Sequence, residues 1–357
     1  MPLITKTPAW LLTGQNGPSS LEFIDEYELP PLGDKDVLVR LHAASLNHRE
    51  IAIARGKFNL PLPNPIIPSS DGSGTVVATG ASVTSFAKGD RVVTHLTVHS
   101  DENSPPTFTE IGSGLGQIAH GTLSRYGVFH ETSLVRMPAS LGFREAATLT
   151  CSALTAWNAL FGMRSGFGPG QMHGVVVLVL GSGGVSVAGL QFALASGATV
   201  IATTSSDAKA AKLKDLGAQH VLNYKTTPDW GSVAKSLTPD SRGVDIVIDV
   251  GGPSTVGQSL KAVRTDGVIA LAGLLGAGAG TEEANVPSIM DSLMHLCTTR
   301  GFLLGTRAQF REMNAFIDER GIRPVVDDRV FGFGEVREAY EFMERQGHFS
   351  KIVIDIE

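Results

Sequence analysis

The sequence predicts an α/β protein of two domains, in which a β-rich unit flanks a doubly wound parallel sheet. Three observations predict it. A chain of 357 residues is longer than one ordinary core accommodates. Its first 140 residues read as short strands and turns. From residue 144 onward helical and strand periods alternate, as they do when helices cover both faces of a parallel sheet.

In the β-rich part, Val37-Leu38-Val39-Arg40-Leu41-His42 alternates between two faces at period two. Gly74-Thr75-Val76-Val77-Ala78 and Lys88-Gly89-Asp90-Arg91-Val92-Val93 supply two further strands around a turn. Residues 100–121 are rich in Pro, Gly, Ser and Thr and read as a mobile loop placed to cover substrate. In the alternating part, residues 144–161 read as a helix, 175–180 as a buried strand and 185–196 as a small-residue helix. Strand 199–203, helix 208–216 and strands 221–223, 244–250 and 268–272 follow. Helices 310–319 and 334–345 and a last strand, 351–356, close the chain, and that strand is expected to return to the first domain. The expected division is 1–152 with 306–357 for the substrate domain and 153–305 for the nucleotide domain.

An apolar share of 42%, a charged share of 18% and a net charge of −6 describe a globular chain without the basic footprint of a nucleic-acid binder. Residues 165–206 carry no Asp, Glu, Lys or Arg, but repeated glycines and a mid-run change of period argue against a membrane span. Cys151 and Cys297 are too few for a disulfide framework, and residues 1–10 lack the apolar core of a signal peptide. A cytoplasmic setting is therefore expected.

The strongest local signal is Gly181-Ser182-Gly183-Gly184-Val185-Ser186, between a predicted strand and a predicted helix. A phosphate-binding turn needs glycine where the backbone reverses and where it approaches a pyrophosphate, and a helix N-terminus behind it favours negative charge. Ser186 stands where a third glycine is usual, a position that asks only for a small side chain. A glycine turn of some other α/β protein is the alternative; the strand-turn-helix context favours a dinucleotide. About 20 residues further on, NAD sites commonly place an acidic residue for the ribose 2′-hydroxyl. Here Thr203-Thr204-Ser205-Ser206 ends the strand, no carboxylate appears before Asp207, and Lys209 follows, which favours the 2′-phosphate of NADP. Ser206 also suits a helix N-cap, and Lys209 a solvated surface.

Pro61 to Gly74, Gly89-Asp90-Arg91-Val92, Ala146-Ala147-Thr148-Leu149 with Leu154-Thr155-Ala156-Trp157, Gly181 to Ser186, Leu216-Gly217-Ala218, Gly243-Val244-Asp245 and Gly273 fall in one familiar order and spacing. Over nearly its whole length the chain resembles the medium-chain dehydrogenase/reductases, in particular their zinc-lacking, quinone-oxidoreductase-like branch. The resemblance implies a GroES-like substrate domain and a Rossmann domain, and a homodimer in which the strand resembling 268–272 pairs across a two-fold axis. Quinone oxidoreductases use a lysine and a tyrosine at positions resembling Lys209 and Tyr224 on the adenosine phosphate. The resemblance also places Thr155 against the nicotinamide. Val250 and Gly251, where the predicted strand 244–250 ends, and Gly273 and Leu274 one strand later stand at the carboxyl edge of the sheet, where doubly wound folds bind ligands. Ordinary turn chemistry would account for the same glycines.

Zinc-dependent relatives place a Cys within the segment that here reads Ser45-Leu46-Asn47-His48-Arg49, a Gly-His-Glu at Ser69-Ser70-Asp71, and a second Cys near Cys151. A catalytic zinc needs three protein ligands of nitrogen or thiolate character. Cys151 alone is in place, with His95 or His120 as unrelated substitutes, so no zinc is expected. Without a Lewis acid, substrates with a built-in electron sink, enones or quinones, suit hydride transfer from NADPH, and Asn47 and His48 are the candidate donors to the developing oxyanion. Several relatives show a tyrosine at the position of Phe58. A metal-free alcohol or aldehyde reductase and a non-catalytic, crystallin-like NADPH-binding protein are the competing functions.

Overall fold

The computed structural model describes residues 4–57, 62–98, 101–162, 167–273 and 286–357. Two compact units emerge, Met1–Leu154 with Gly305–Glu357, and Thr155–Leu304.

The first unit is organised around the long strand Asp36–Leu46, whose side chains are mostly buried. It pairs antiparallel with Asp71–Thr79, Tyr126–His130 and the C-terminal strand Ile352–Asp355. A two-stranded sheet, Lys6–Leu12 with Leu21–Glu28, adds a second surface, and the Trp10 indole donates to the Phe333 carbonyl at 2.7 Å. One apolar core runs from Leu12 and Leu21 through Leu41 and Leu46 to Tyr340 and Ile354. Residues 101–121 are more ordered than a plain loop: Thr107 caps the short helix Phe108–Gly112 by accepting from the Glu110 N–H at 3.2 Å. The segment's far end is tied to helix His48–Ala54, because Arg49 donates to the Leu115 carbonyl at 3.0 Å.

The second unit is a six-stranded sheet, every neighbouring pair parallel. Its spatial order is His220–Asn223, Thr199–Thr204, Val176–Val179, Val244–Asp249, Val263–Leu271 and Thr298–Gly301. Val176–Val179 is buried at every residue, the signature of a strand covered on both faces. Strand order reverses beside it, and ligands of doubly wound folds bind outside the strand ends at such a switch point.

Three local expectations are corrected. The helix expected over 144–161 is three pieces: Phe143–Ala146, a π-helical stretch Leu149–Ala153 and Leu154–Phe161. Helices Trp230–Ser236 and Val256–Ala262 form where the apolar period predicts no element. The strand expected to pair across a dimer axis is not an edge: Val263–Leu271 lies between two partners, and Thr298–Gly301 is the outermost strand among the described residues. Among the described residues no helix is long and apolar enough to cross a membrane.

Candidate active site

In the second unit, strand Val176–Val179 feeds the turn Gly181 to Gly183, and helix Gly184–Ala195 begins at once. Gly181 has φ +87°, in the left-handed region that glycine occupies without strain. Gly183 has an ordinary φ, and a Cβ built on it would meet nothing within 4 Å among the described residues. No packing among the described residues demands glycine there, which fits a position kept open for close approach of a phosphate. The Gly181 N–H donates to Thr203 Oγ1 at 3.1 Å, and Ser186 donates to the Leu180 carbonyl at 2.6 Å, binding helix to strand where a third glycine is usual. Ser182, Gly184 and Val185 are half-buried around the turn.

At the next strand end Thr204 is 1% exposed, and its hydroxyl has no hydrogen-bond partner among the described residues. The Tyr224 N–H donates to the Thr204 carbonyl at 3.0 Å, which brings the exposed Tyr224 beside it. Ser205, Ser206 and Lys209 follow, all half-buried. Ser206 is the N-cap residue of helix Asp207–Asp215 by backbone position, but its side chain makes no capping bond. The Asp207 carboxylate accepts from the Asn223 amide at 2.9 Å.

Two other candidate glycines have internal explanations. Asp249, fully buried, accepts from the N–H groups of Gly251 and Gly252 at 3.0 Å each and from Thr255 and Ser259 at 2.6 Å each, locking the turn that contains Val250. A Cβ on Gly251 would lie 2.5 Å from Thr255, and one on Gly273 2.5 Å from the Val250 carbonyl oxygen. Thr155 is buried in helix Leu154–Phe161. Leu274 and Phe58 lie outside the described residues.

The first unit concentrates polar side chains where Asp36–Leu46 ends. Asn47 precedes helix His48–Ala54; the Glu50 carboxylate accepts its backbone N–H at 2.6 Å, and the Glu50 N–H donates to the Asn47 carbonyl at 3.1 Å. Asn47 Oδ1 accepts from Ser152 Oγ at 3.1 Å and from the ammonium of Lys351. Its Nδ2 has no partner among the described residues, although the residue is 8% exposed. Asp71, fully buried, accepts from Ser70 at 2.7 Å, from the Cys151 N–H at 3.3 Å and from Lys351 at 3.3 Å. The π-helical stretch aims the Cys151 backbone and Ser152 side chain into this cluster; such insertions concentrate at functional sites. His48 is solvent-exposed, yet partial desolvation by its surroundings, then nearby Lys57, holds its ring below the ordinary histidine range.

Lys351, Asp71 and Ser152 were not singled out from the sequence as site members. Lys351 sits 304 residues from Asn47 and reaches it because Ile352 pairs with Leu46.

A zinc-type alcohol dehydrogenase-like protein of Schizosaccharomyces pombe is 43% identical over 93% of this chain and 94% of its own length. The chain belongs to the medium-chain dehydrogenase/reductase superfamily. A family model described as the alcohol dehydrogenase GroES-like domain matches residues 33–139, and one described as zinc-binding dehydrogenase matches 184–319. A solved structure titled as a putative alcohol dehydrogenase from Sinorhizobium meliloti superposes with a TM-score of 0.88 at 35% identity, covering 99% of this chain and 100% of that one. A 2-methylene-furan-3-one reductase of Solanum lycopersicum is 28% identical over 97% of this chain and 78% of its own length. The protein is thus an oxidoreductase of this superfamily, with a GroES-like region and a Rossmann sheet.

Zinc is the metal that the family description implies, and the side chains present do not fit it. Cys151 is the one cysteine of the first unit, and burial, then the neighbouring Asp71, pushes its thiol up to about 12. Ser70 is committed to Asp71, and Asn47 offers an amide oxygen already engaged by an ammonium. His95 is held between the Gly305 carbonyl, 3.1 Å away, and Thr97, 3.0 Å away; His120 accepts the Ile67 N–H at 3.1 Å. Nicotinamide dinucleotide does fit: Gly181 to Val185 would hold the pyrophosphate, and Thr204 to Lys209 with Tyr224 the adenosine end.

Proposed function

We propose that this protein is an NADPH-dependent, zinc-independent reductase that adds hydride to a carbon–carbon double bond conjugated to a carbonyl, or to a quinone. One observation carries the reading: the Asn47 amide is a buried donor whose oxygen is doubly held and whose NH₂ group has no partner. An unmet buried donor costs roughly 1–3 kcal/mol, so it asks for a ligand acceptor to offset it. The oxyanion that develops when hydride adds beyond a carbonyl is such an acceptor.

NADPH, when bound, supplies the hydride. Asn47 Nδ2 donates to the substrate oxygen as negative charge builds there. His48, kept neutral near pH 7, donates its ring N–H or relays a proton from solvent to the enolate. Thr155 packs the nicotinamide, Val250, Gly251 and Gly273 line its approach, and the hydroxyls of Thr204, Ser205 and Ser206 with Lys209 and Tyr224 receive the 2′-phosphate. The reductase name of the tomato relative supports the double-bond substrate. The alcohol dehydrogenase names of the yeast relative and the Sinorhizobium structure support a second reading, metal-free alcohol or aldehyde chemistry. We further propose a homodimer and a cytoplasmic setting, the latter from two free thiols.

NADPH oxidation with an enone, a quinone and an aldehyde separates the readings. Faster turnover of enone or quinone than of aldehyde is expected. Turnover of aldehyde alone establishes the second reading, and cofactor binding without any turnover establishes a binding protein.

A further inference from the structure

We propose that Lys351 is a positioning residue for the oxyanion donor, fixing which end of the Asn47 amide faces substrate. The inference rests on the reading of Asn47 given above. Lys351 is 4% exposed, and its ammonium donates to the Leu46 carbonyl at 2.8 Å, to Asp71 Oδ2 at 3.3 Å and to Asn47 Oδ1. Three acceptors satisfy the three protons an ammonium carries. Because a lysine offers no acceptor, the Asn47 amide cannot turn its NH₂ toward it; the oxygen must face the ammonium, and Nδ2 is driven to the opposite side. Ser152 Oγ, at 3.1 Å from the same oxygen, reinforces this orientation.

Asp71 makes the arrangement affordable by balancing the buried ammonium, and is itself held by Ser70, Ser45 and the Cys151 N–H. A cation hydrogen-bonded to the amide oxygen also polarises the amide and strengthens donation from its nitrogen. Lys351 thereby places a hydrogen-bond donor paired with Asp71 one amide group away from the substrate oxygen. The ammonium lies among the segments of Asn47, Asp71 and Cys151, so a lysine just before the final strand supplies the electrophilic assistance that this donor set does not obtain from a metal.

A double-mutant cycle tests the inference, with kcat on an enone and the NADPH dissociation constant as readouts. Lys351→Met should lower kcat about tenfold or more with NADPH affinity within about twofold, and in an Asn47→Ala background it should cost less than about threefold more, because both act through one donor. Ser152→Ala, which leaves the buried charges paired, should lower kcat about threefold and likewise lose its effect in the Asn47→Ala background; it carries the test if Lys351→Met does not fold. Losses that multiply independently, or a Ser152→Ala enzyme as fast as the parent, would overturn the positioning role while leaving the Asn47 assignment intact. An Asn47→Ala enzyme with unchanged kcat would instead overturn the Asn47 assignment and this inference with it.

Discussion

At the scale of single residues, the chemistry turns on which polar groups are already satisfied. Asn47 differs from its neighbours because half of its amide is saturated and half is not. Removing a donor that acts in the transition state typically costs about 10² to 10³ in turnover. Asn47→Ala should therefore lower kcat on an enone by that order and leave the NADPH dissociation constant unchanged, as stopped-flow titration would show. His48→Ala should cost less and in a pH-dependent way. His95 is a satisfied residue and has a stability role. Burial lowers its pKa from 6.5 to about 4. Between those values the unfolded chain binds a proton that the native chain does not, so stability rises with pH: it is complete above the unfolded pKa and lost as pH falls toward the folded one. The loss amounts to about 3 kcal/mol at most. Denaturant melts from pH 7 to 4 should show a shallower acid limb in His95→Gln, which keeps a donor for the Gly305 carbonyl but does not titrate.

At the scale of elements, the NADPH proposal rests on the glycine turn and the strand after it. Thr199–Thr204 ends without a carboxylate in the strand itself, and Lys209 lies on the first turn of the next helix. NADPH should bind about tenfold tighter than NADH, since a charge-assisted contact to phosphate is among the stronger polar interactions. Lys209→Glu should narrow or invert that ratio in fluorescence titrations, and equal dissociation constants for the parent protein would refute NADP selectivity. The turn itself was legible in sequence, because Gly181 and Gly183 stand between a β-branched run and a small-residue helix. The broken helix over 143–161 was not: a π-helical stretch shifts the pattern by one residue, and apolar periodicity continues on either side of it.

At the scale of the whole molecule, two assembly properties follow. Thr298–Gly301 is an outermost strand of the second sheet, and Ile289, Met290, Leu293 and Met294, just before it, are exposed by 60% or more. Exposed strand edges and apolar side chains are association hazards unless covered. Sedimentation at micromolar concentration should find a homodimer, and Met290→Glu with Met294→Glu should shift it toward monomer; a monomeric parent protein would argue against this surface as an interface. Elemental analysis should find less than a stoichiometric amount of zinc, and a chelator should leave activity unchanged. One tightly held zinc per chain, with activity lost on chelation, would overturn the zinc-free mechanism.

By itself the sequence determined the superfamily, the α/β class, the glycine turn and the candidates Asn47 and His48. These depend on local period, on backbone conformations open to glycine, and on motifs whose residues are neighbours in the chain. Tertiary structure decided how the Asn47 amide is oriented, which strand lies at the sheet edge, and which groups hold the polar cluster together. Lys351 shows why: a lone lysine before a terminal strand carries no local signal, and pairing of Ile352 with Leu46 brings its ammonium to Asn47 and Asp71. Strand pairing joins residues without regard to their separation along the chain, so the partners that determine a donor's direction are invisible until the sheet is formed.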